Sequence, residues 1–484
     1  METYIRSEEN SNMNMLHVES DRIVDELDNP IWLRGTCVGG WMNMENFLDG
    51  YPGAEHQMRA HLAQELGESK ARFFFDRLLD HFFAEEDVAY IKSLGATVVR
   101  LSLNYRHFES DAYPFEYLEP GFQRLDQAVG WCANHGLYII LDMHSVQGWQ
   151  NTDWHCDNAS RHVLFWHDKC YQDRFIALWQ EIARRYKGNP TIAGYNIMNE
   201  PLVNTPFGRF RENRTPDLAS YYRPDWERIN RIYRRAVEDI RQVDPEHIIF
   251  LEGDYFSNLF MGLKPPIMEN LVYSSHNYNT GPEERWDFER QRSYFLGLEG
   301  TQYTQKYNVP LWVGEFGTGC AFPEEEQRLR LQALDAQIRV FNQYSTHWTI
   351  WNYKDIGAMS LVWLHPDSAY MRAIRPVLEA KRALDIDWFG FAESVVPIKQ
   401  KLAEIARLVE SAINDPTIDP VSNQGFMAQH LLGGYVSTLM QPSYARCFTG
   451  MSEEKIDDVL QSFALKNCIP CQPLVNLLKN RFLD

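Results

Sequence analysis

Cysteine is scarce and scattered: eight residues in 484, with a single close pair, Cys468-Ile-Pro-Cys471. A disulfide scaffold needs more of them closer together, and a zinc site needs a second pair at matching spacing. Ordinary thiols and no metal are therefore expected. Long apolar runs are missing as well. Nothing approaches the roughly 20 consecutive apolar residues of a membrane span. The polar, acidic stretch 1–29 carries no apolar core of signal-peptide length, so the chain reads as cytoplasmic. Positive charge is in deficit: 47 Lys and Arg stand against 66 Asp and Glu, a net charge of −19. Nucleic acid and anionic membranes are polyanions and make poor partners for such a surface. There is no G-x-G-x-x-G turn, no P-loop, no internal repeat and no low-complexity linker.

What is present is length, apolar content and aromatic rings. At 484 residues and 44% hydrophobic, the chain can bury one large core, and α/β barrels with insertions reach this size as one domain. Aromatics make up 13%. Sugar rings stack their C–H faces on aromatic planes, and large cores use aromatics too. Short β-rich runs recur at 31–38, 97–103, 138–144, 192–200, 248–254, 272–278, 311–317 and 347–353. Helix-forming stretches at 82–94, 121–135, 168–186, 226–243 and 325–344 fall between most of them. This alternation predicts an α/β fold, a (β/α)8 TIM barrel. Helices expected at 396–413, 452–465 and 473–482 make an appended C-terminal helical region. We thus expect a catalytic barrel with an N-terminal extension over residues 1–395 and a packed helical extension over 396–484, whose helices could join two copies or cap a pocket.

Polar residues gather at the C-terminal ends of the runs: Asp142 and His144, Asn199 and Glu200, Glu252 and Asp254, His276 and Tyr278, Glu315, Trp351. Core packing alone predicts no such bias, whereas barrel active sites assemble at that face. Two glutamates stand out, because a carboxylate at the mouth of a buried strand costs solvation free energy. Singly, a strand-end Glu is more often an ion-pair partner. Paired at about 5 Å, two carboxyls can cleave a glycosidic bond with retention, one as acid/base and one as nucleophile. The nucleophile needs donors and a cation, for which Arg100 and Tyr278 are candidates. Asn199 can serve a sugar hydroxyl, His144 and His276 can bind hydroxyls or orient partners, and Trp351 offers a flat floor. The loop 145–168 adds Trp149, Trp154, His155, His162, Trp166 and His167, without a defensible metal spacing.

These pieces resemble glycoside hydrolase family 5, retaining β-glycosidases on a (β/α)8 barrel that include cellulases and exo-β-1,3-glucanases. The resemblance lies in Arg100 within Val98-Val-Arg-Leu101, Leu141-Asp-Met-His144, Asn199-Glu200-Pro201, His276-Asn-Tyr278, Trp312-Val-Gly-Glu315-Phe-Gly317 and Trp351, in that order over residues 31 to 360. It implies Glu200 as acid/base, Glu315 as nucleophile and no cofactor. The first strand, Arg34-Gly-Thr-Cys-Val-Gly-Gly-Trp-Met-Asn-Met-Glu45, is similar to that of exo-acting β-glucanases and β-glucosidases, where the residue matching Glu45 helps hold the terminal sugar. Gln150-Asn151 and Asp157-Asn158 resemble their third-strand loop, and Trp149, Trp154 and Trp166 suit a crowded exo pocket. Two departures are an extra segment at 152–156 and the C-terminal helices. The resemblance implies a terminal β-glucoside as substrate. A β-mannoside, β-galactoside, furanoside, disaccharide glycoside or glycolipid stays open, as does a non-catalytic carbohydrate-binding barrel.

Overall fold

The computed structural model describes residues 13–204, 222–281, 287–320, 322–386, 397–415, 427–428 and 430–484. Eight parallel strands close a barrel in chain order. They are β1 Arg34–Val38, β2 Val98–Asn104, β3 Tyr138–Ser145, β4 Ile192–Asn196, β5 Ile248–Glu252, β6 Leu271–His276, β7 Leu311–Glu315 and β8 His347–Ile350. β8 returns to β1 through Trp348↔Arg34, Thr349↔Gly35 and Ile350↔Thr36. All eight expected runs are strands, and the expected barrel is the fold. The ends differ. The fourth run stops at Asn196, so Ile197 to Glu200 leave the ladder, and Glu200 takes a left-handed φ of 45°.

Side chains along a strand alternate between faces, and the alternation explains the layering. Val98, Ile140, Ala193, Ile248, Phe250, Val272 and Trp312 pack into one apolar cluster inside the barrel. An N-terminal hairpin, Leu16–Glu19 with Arg22–Asp25, plugs that cluster from below with Leu16 and Ile23. Two residues further along the same faces stand Arg100, Asp142 and Glu252, with His144 and His276 above. The intervening residues Val99, Leu101, Ile139, Leu141, Ile249, Leu251, Tyr273 and Val313 join the larger outer core under the helices.

Helices Glu119–His135, Lys169–Tyr186, Trp226–Val243 and Glu324–Gln343 match expectation within two residues. Their ends carry local signals: Asp225 Oδ1 accepts from Arg228 N at 3.0 Å, and Gly136 closes its helix at φ 62°. The long connection after β1 holds two further helices, Glu55–Leu66 and Glu68–Phe82, ahead of Glu85–Ser93.

From Tyr444 on, the C-terminal elements join the outer core, while Leu402 and Leu432 sit in a smaller cluster with Ala54, Trp154 and Ile386. Phe448, Ile456, Leu460, Phe463, Leu474 and Leu478 are buried in it. Strand Cys468–Pro470 pairs with Val362–Leu364, and Phe482 stacks on Trp348 at 5.1 Å. The expected boundary at 395–396 lies outside the described residues. Helix Pro397–Ile413 buries Leu402 and Ala406, while Ile405 and Val409 are exposed. No helix among the described residues is long and apolar enough to cross a membrane.

Phe463 is fully buried between Phe82 and Tyr370, and its carbonyl accepts from the buried Lys354 ammonium at 2.8 Å. Phe463→Ala should cost about 3–5 kcal/mol. Urea unfolding should show one transition for the whole chain moved to lower denaturant. A barrel transition left in place would mean that the C-terminal helices fold separately.

Candidate active site

Every residue singled out at the strand ends comes to one mouth of the barrel. Arg100, from the middle of β2, is fully buried above Trp312, its guanidinium 5.4 Å from that ring. It donates to Glu315 Oε1 at 2.5 Å, Asn199 Oδ1 at 2.7 Å, Asn196 Oδ1 at 3.0 Å and Glu252 Oε1 at 3.2 Å, and its Nη2 lies 3.1 Å from Asp142 Oδ2. A buried guanidinium is affordable only when its five N–H groups are satisfied, and this one is held by groups from four strands or their ends. The second oxygen of Glu315 accepts from the Tyr278 hydroxyl at 2.8 Å.

Glu200 faces Glu315 from the β4 end. Its Oε1 meets His276 Nδ1 at 2.6 Å and its Oε2 lies 3.2 Å from His155 Nε2. Its backbone N–H donates to Glu252 Oε2 at 2.7 Å, which fixes the turn that carries it. Ligand-type atoms of Glu200, His276 and Glu315 all lie within 4.8 Å of one another. Such a trio has metal-site spacing, yet its oxygens already receive Arg100, Tyr278 and His276, and a metal would have to displace those bonds.

A second row lines the β1–β3 side. His144 Nδ1 bonds Asp142 Oδ2 at 2.7 Å, its Nε2 lies 3.3 Å from Glu45 Oε1, and its ring stacks on Trp351 at 5.2 Å and 13°. Trp351 lies so close to Gly39 that a Cβ there would sit 2.3 Å from the indole, so the residue after β1 must be glycine for the ring to lie flat. The loop after β3 is stapled to the turn bearing Glu200. Gln150 Nε2 donates to the carbonyls of His144 and Asn199 at 2.7 and 2.9 Å, and Asn151 Nδ2 to that of Glu200 at 3.0 Å.

Burial and neighbours set the charges. Burial would lower the His144 pKa, but Asp142 and Glu45 overcome it and lift it to about 10. Burial raises Glu45, and His144 offsets this only in part. Burial also pushes Glu252 up, but the charges of His276 and Arg100 hold it below the usual carboxylate range. Against its burial, His276 is raised well above 6.5 by Glu315, Glu252 and Glu200. For Glu200, burial favours the neutral acid; with both neighbouring imidazoles charged, their hydrogen bonds win and favour the carboxylate.

The structure thus brings together Glu200, Glu315, Glu45, Arg100, His144, Asn199, His276, Tyr278 and Trp351. Two of the loop tryptophans do other work than expected. Trp166 is buried and bonds the Gln150 carbonyl at 2.8 Å, and Trp154 packs on Leu402 and Leu432 of the C-terminal helices. Both rings fill space behind the loop instead of lining a pocket. Sequence reasoning assigned no role to Asn196, Glu252 or His155. Glu252 carried the strand-end signal; His155, on a short turn, carried only membership of a histidine-rich loop.

A parallel (β/α)8 barrel with facing carboxyls at its mouth is an arrangement that glycoside hydrolases use, and the comparisons with known proteins place the chain in that class. A profile of the cellulase family, glycosyl hydrolase family 5, matches residues 78–357. A β-xylosidase of Phanerodontia chrysosporium is 36% identical over 479 residues, 94% of this chain and 96% of the relative. A probable glucan 1,3-β-glucosidase A of Emericella nidulans is 26% identical, covering 59% of this chain and 66% of that protein. Among solved structures, an endogalactoceramidase aligns with a TM-score of 0.50 at 20% identity, over 71% of this chain and 75% of its own; that likeness concerns the fold. The chain belongs to glycosyl hydrolase family 5 and is a glycoside hydrolase.

The His144 shift has a consequence for stability. Its folded-state pKa of about 10 lies above the ordinary 6.5. The stabilisation is therefore fully present below pH 6.5 and drains away as pH rises through the folded value. In His144→Gln the fall of the thermal midpoint between pH 7 and about 10 should flatten relative to wild type. An unchanged slope would place the titrating group elsewhere.

Proposed function

We propose that the protein is a retaining, exo-acting β-glycosidase, with Glu315 as nucleophile and Glu200 as acid/base. The observation that carries this is the facing pair itself: one carboxyl oxygen of each lies within 4.8 Å of the other, which suits the roughly 5–5.5 Å carboxyl separation of retaining enzymes better than the about 6.5–9.5 Å of inverting ones. The two environments fit two roles. Glu315 accepts from a guanidinium and a phenol, donors that suit an anionic nucleophile attacking the anomeric carbon. Among the described residues Glu200 is paired with two imidazoles and with no arginine or lysine, and imidazoles can exchange protons with it. Glu200 protonates the departing oxygen, and the glycosyl–Glu315 ester is then opened by a water from which Glu200 takes a proton. Asn199 and His144 stand where hydroxyls of the bound ring would be met, Trp351 forms the floor, and Glu45 closes the far side against a terminal sugar.

The first choice of substrate is a terminal β-glucoside, supported by the likeness of the first strand and Glu45 to exo-β-glucanases. A β-xyloside is the second, favoured by the β-xylosidase relative that matches almost end to end. An address inside the cell and the division at 395–396 belong to the same proposal. The first is supported by eight cysteines without a disulfide among them.

Release of 4-nitrophenol from α- and β-glycosides of a panel of sugars should be β-selective. Glu315→Ala should abolish it, and azide should restore turnover with inverted product. Full activity in that variant would sink the assignment. Glu200→Ala should slow glycosides with poor leaving groups by about 10²–10⁴-fold and activated aryl glycosides far less. Glu45→Ala should cripple short substrates; a mild effect, with longer oligosaccharides preferred, would show endo action.

A further inference from the structure

We propose that Phe256 is a specificity-determining residue on the leaving-group side of the site: its ring is a face on which a ring-bearing aglycone, an aryl group or a second sugar, lies while Glu200 protonates the glycosidic oxygen. The proposal rests on the reading of Glu200 given above and adds the chemical class of the departing group.

Directly after β5 the backbone takes a path that L-residues avoid. Tyr255, Phe256 and Ser257 stand in succession at φ 53°, 53° and 62°, with no glycine among them. A left-handed residue crowds its Cβ against the following carbonyl oxygen, so such residues occur singly and rarely in runs. Strain of this kind persists only where the surroundings hold it. Here they do. Asp254 Oδ1 accepts the N–H groups of Tyr255 at 2.8 Å and Val203 at 3.1 Å, and the Tyr222 hydroxyl donates to the same carboxylate at 2.9 Å. Asp254 and Leu259 exchange two backbone bonds at 2.9 Å. Ser257 Oγ donates to Glu252 Oε2, the oxygen that also receives the Glu200 N–H.

What this turn delivers is the Phe256 ring. Core packing does not explain it: among the described residues Tyr255 and Phe256 belong to none of the apolar clusters, and both are half-buried. The Phe256 ring instead lies 6.4 Å from that of His155, whose Nε2 is 3.2 Å from Glu200 Oε2. Tyr255 meets it edge-on at 5.6 Å and 74°, and Tyr222 lies 4.9 Å from Tyr255 in turn. The turn bearing Glu200 divides the mouth. Asn199 faces Arg100 and His144, groups that belong to the nucleophile and the bound sugar. Pro201, on the other side of Glu200, takes the Phe256 N–H on its carbonyl at 3.3 Å. Of the two Glu200 oxygens, Oε1 shares His276 Nδ1 with Glu315 Oε2, at 2.6 and 3.6 Å, while Oε2 is the one beside His155. Retaining chemistry places the sugar between the carboxyls and sends the leaving group out past the acid. That exit is on the Phe256 side. A pyranose offers a face of C–H bonds and an aryl group its π cloud, and either packs on a phenyl ring; a small open-chain alcohol has no face to offer.

Benzyl and methyl β-glycosides of the preferred sugar isolate the ring, because their leaving alcohols are nearly equal in acidity and ask the same of Glu200. Phe256→Gly removes the ring and accepts φ 53° without strain. It should lower kcat/KM about tenfold for the benzyl glycoside and less than about twofold for the methyl glycoside. Phe256→Tyr, which keeps the ring, should retain the wild-type ratio. A β-linked disaccharide run beside them tells the sources apart. Loss on benzyl alone assigns the face to aryl aglycones, loss on the disaccharide alone to a second sugar, and loss on both to either. Equal losses on benzyl and methyl would overturn the proposal, as would unchanged rates on both ring-bearing substrates. Glu200→Ala in the same series separates the two failures. Slowed benzyl and methyl glycosides with a 2,4-dinitrophenyl glycoside spared keep Glu200 as the acid whatever Phe256 does. Equal loss on all three removes the acid and the role of Phe256 with it. If the glycine variant does not fold, wild type decides: benzyl alcohol should capture the glycosyl enzyme in about tenfold preference to methanol at equal concentration, and no preference overturns the assignment.

Discussion

One buried cation organises the mouth of this barrel. Arg100 is sealed from water and joins carboxylates or amides from β3, β4, β5 and β7. Taking a guanidinium out of water costs several kcal/mol unless its partners are equally buried and well placed. The partners have the same problem in reverse: Asp142, Glu252 and Glu315 would be intolerable side by side without it. The mutual dependence fixes where each strand end stands. Removing the cation would leave three buried carboxylates with only His144 and His276 to offset them, so Arg100 is as much a fold residue as a site residue.

From that centre the site grows by strand geometry. Period-two alternation puts Ile140, Asp142 and His144 on one face of β3 and Phe250 and Glu252 on one face of β5. Each strand therefore passes from apolar plug to charged layer to pocket within about 7 Å per two residues. The loops add what strands cannot. Glu200 lies four residues past the last ladder position, held by its own N–H on Glu252, by the Asn151 amide on its own carbonyl and by the Gln150 amide on that of Asn199.

That difference also explains how much could be read in advance. The eight strands and the residues at their ends were legible, because a strand buried on both faces is a short apolar run and a polar residue at its close breaks that run visibly. The end of β4 was not, since Ile197 and Met198 stay apolar and buried after the regular ladder stops, and the backbone beyond it reaches the flanking strands only through Ile197 N–H to the Phe250 carbonyl and Asn199 N–H to that of Met143. The helices Glu55–Leu66 and Glu68–Phe82 were passed over. The first shows little amphipathic pattern; the second lies within a connection longer than a barrel requires. Trp154 and Trp166 were read as pocket walls because an aromatic side chain announces its area, not its direction. His155 was visible only as one histidine among several; that it stands beside the Asn151 amide and Glu200 follows from the fold of the loop.

The C-terminal helices enter the chemistry through that same loop. Trp154, next to His155, is buried against Leu402, Leu432 and Ile386. Arg161 stacks over Trp154 at 5.1 Å and donates to the Thr152 carbonyl and the Asp153 carboxylate. Gly433 approaches so closely that a Cβ there would sit 3.0 Å from the Arg161 guanidinium. Segment 152–156 is thus gripped on its outer side by the C-terminal helices and on its inner side by the turn that bears Glu200. The two departures from the family pattern, the extra loop segment and the appended helices, are one device. A loop of five extra residues has too little core of its own to fix its side chains at the barrel mouth, and the helices supply the missing core.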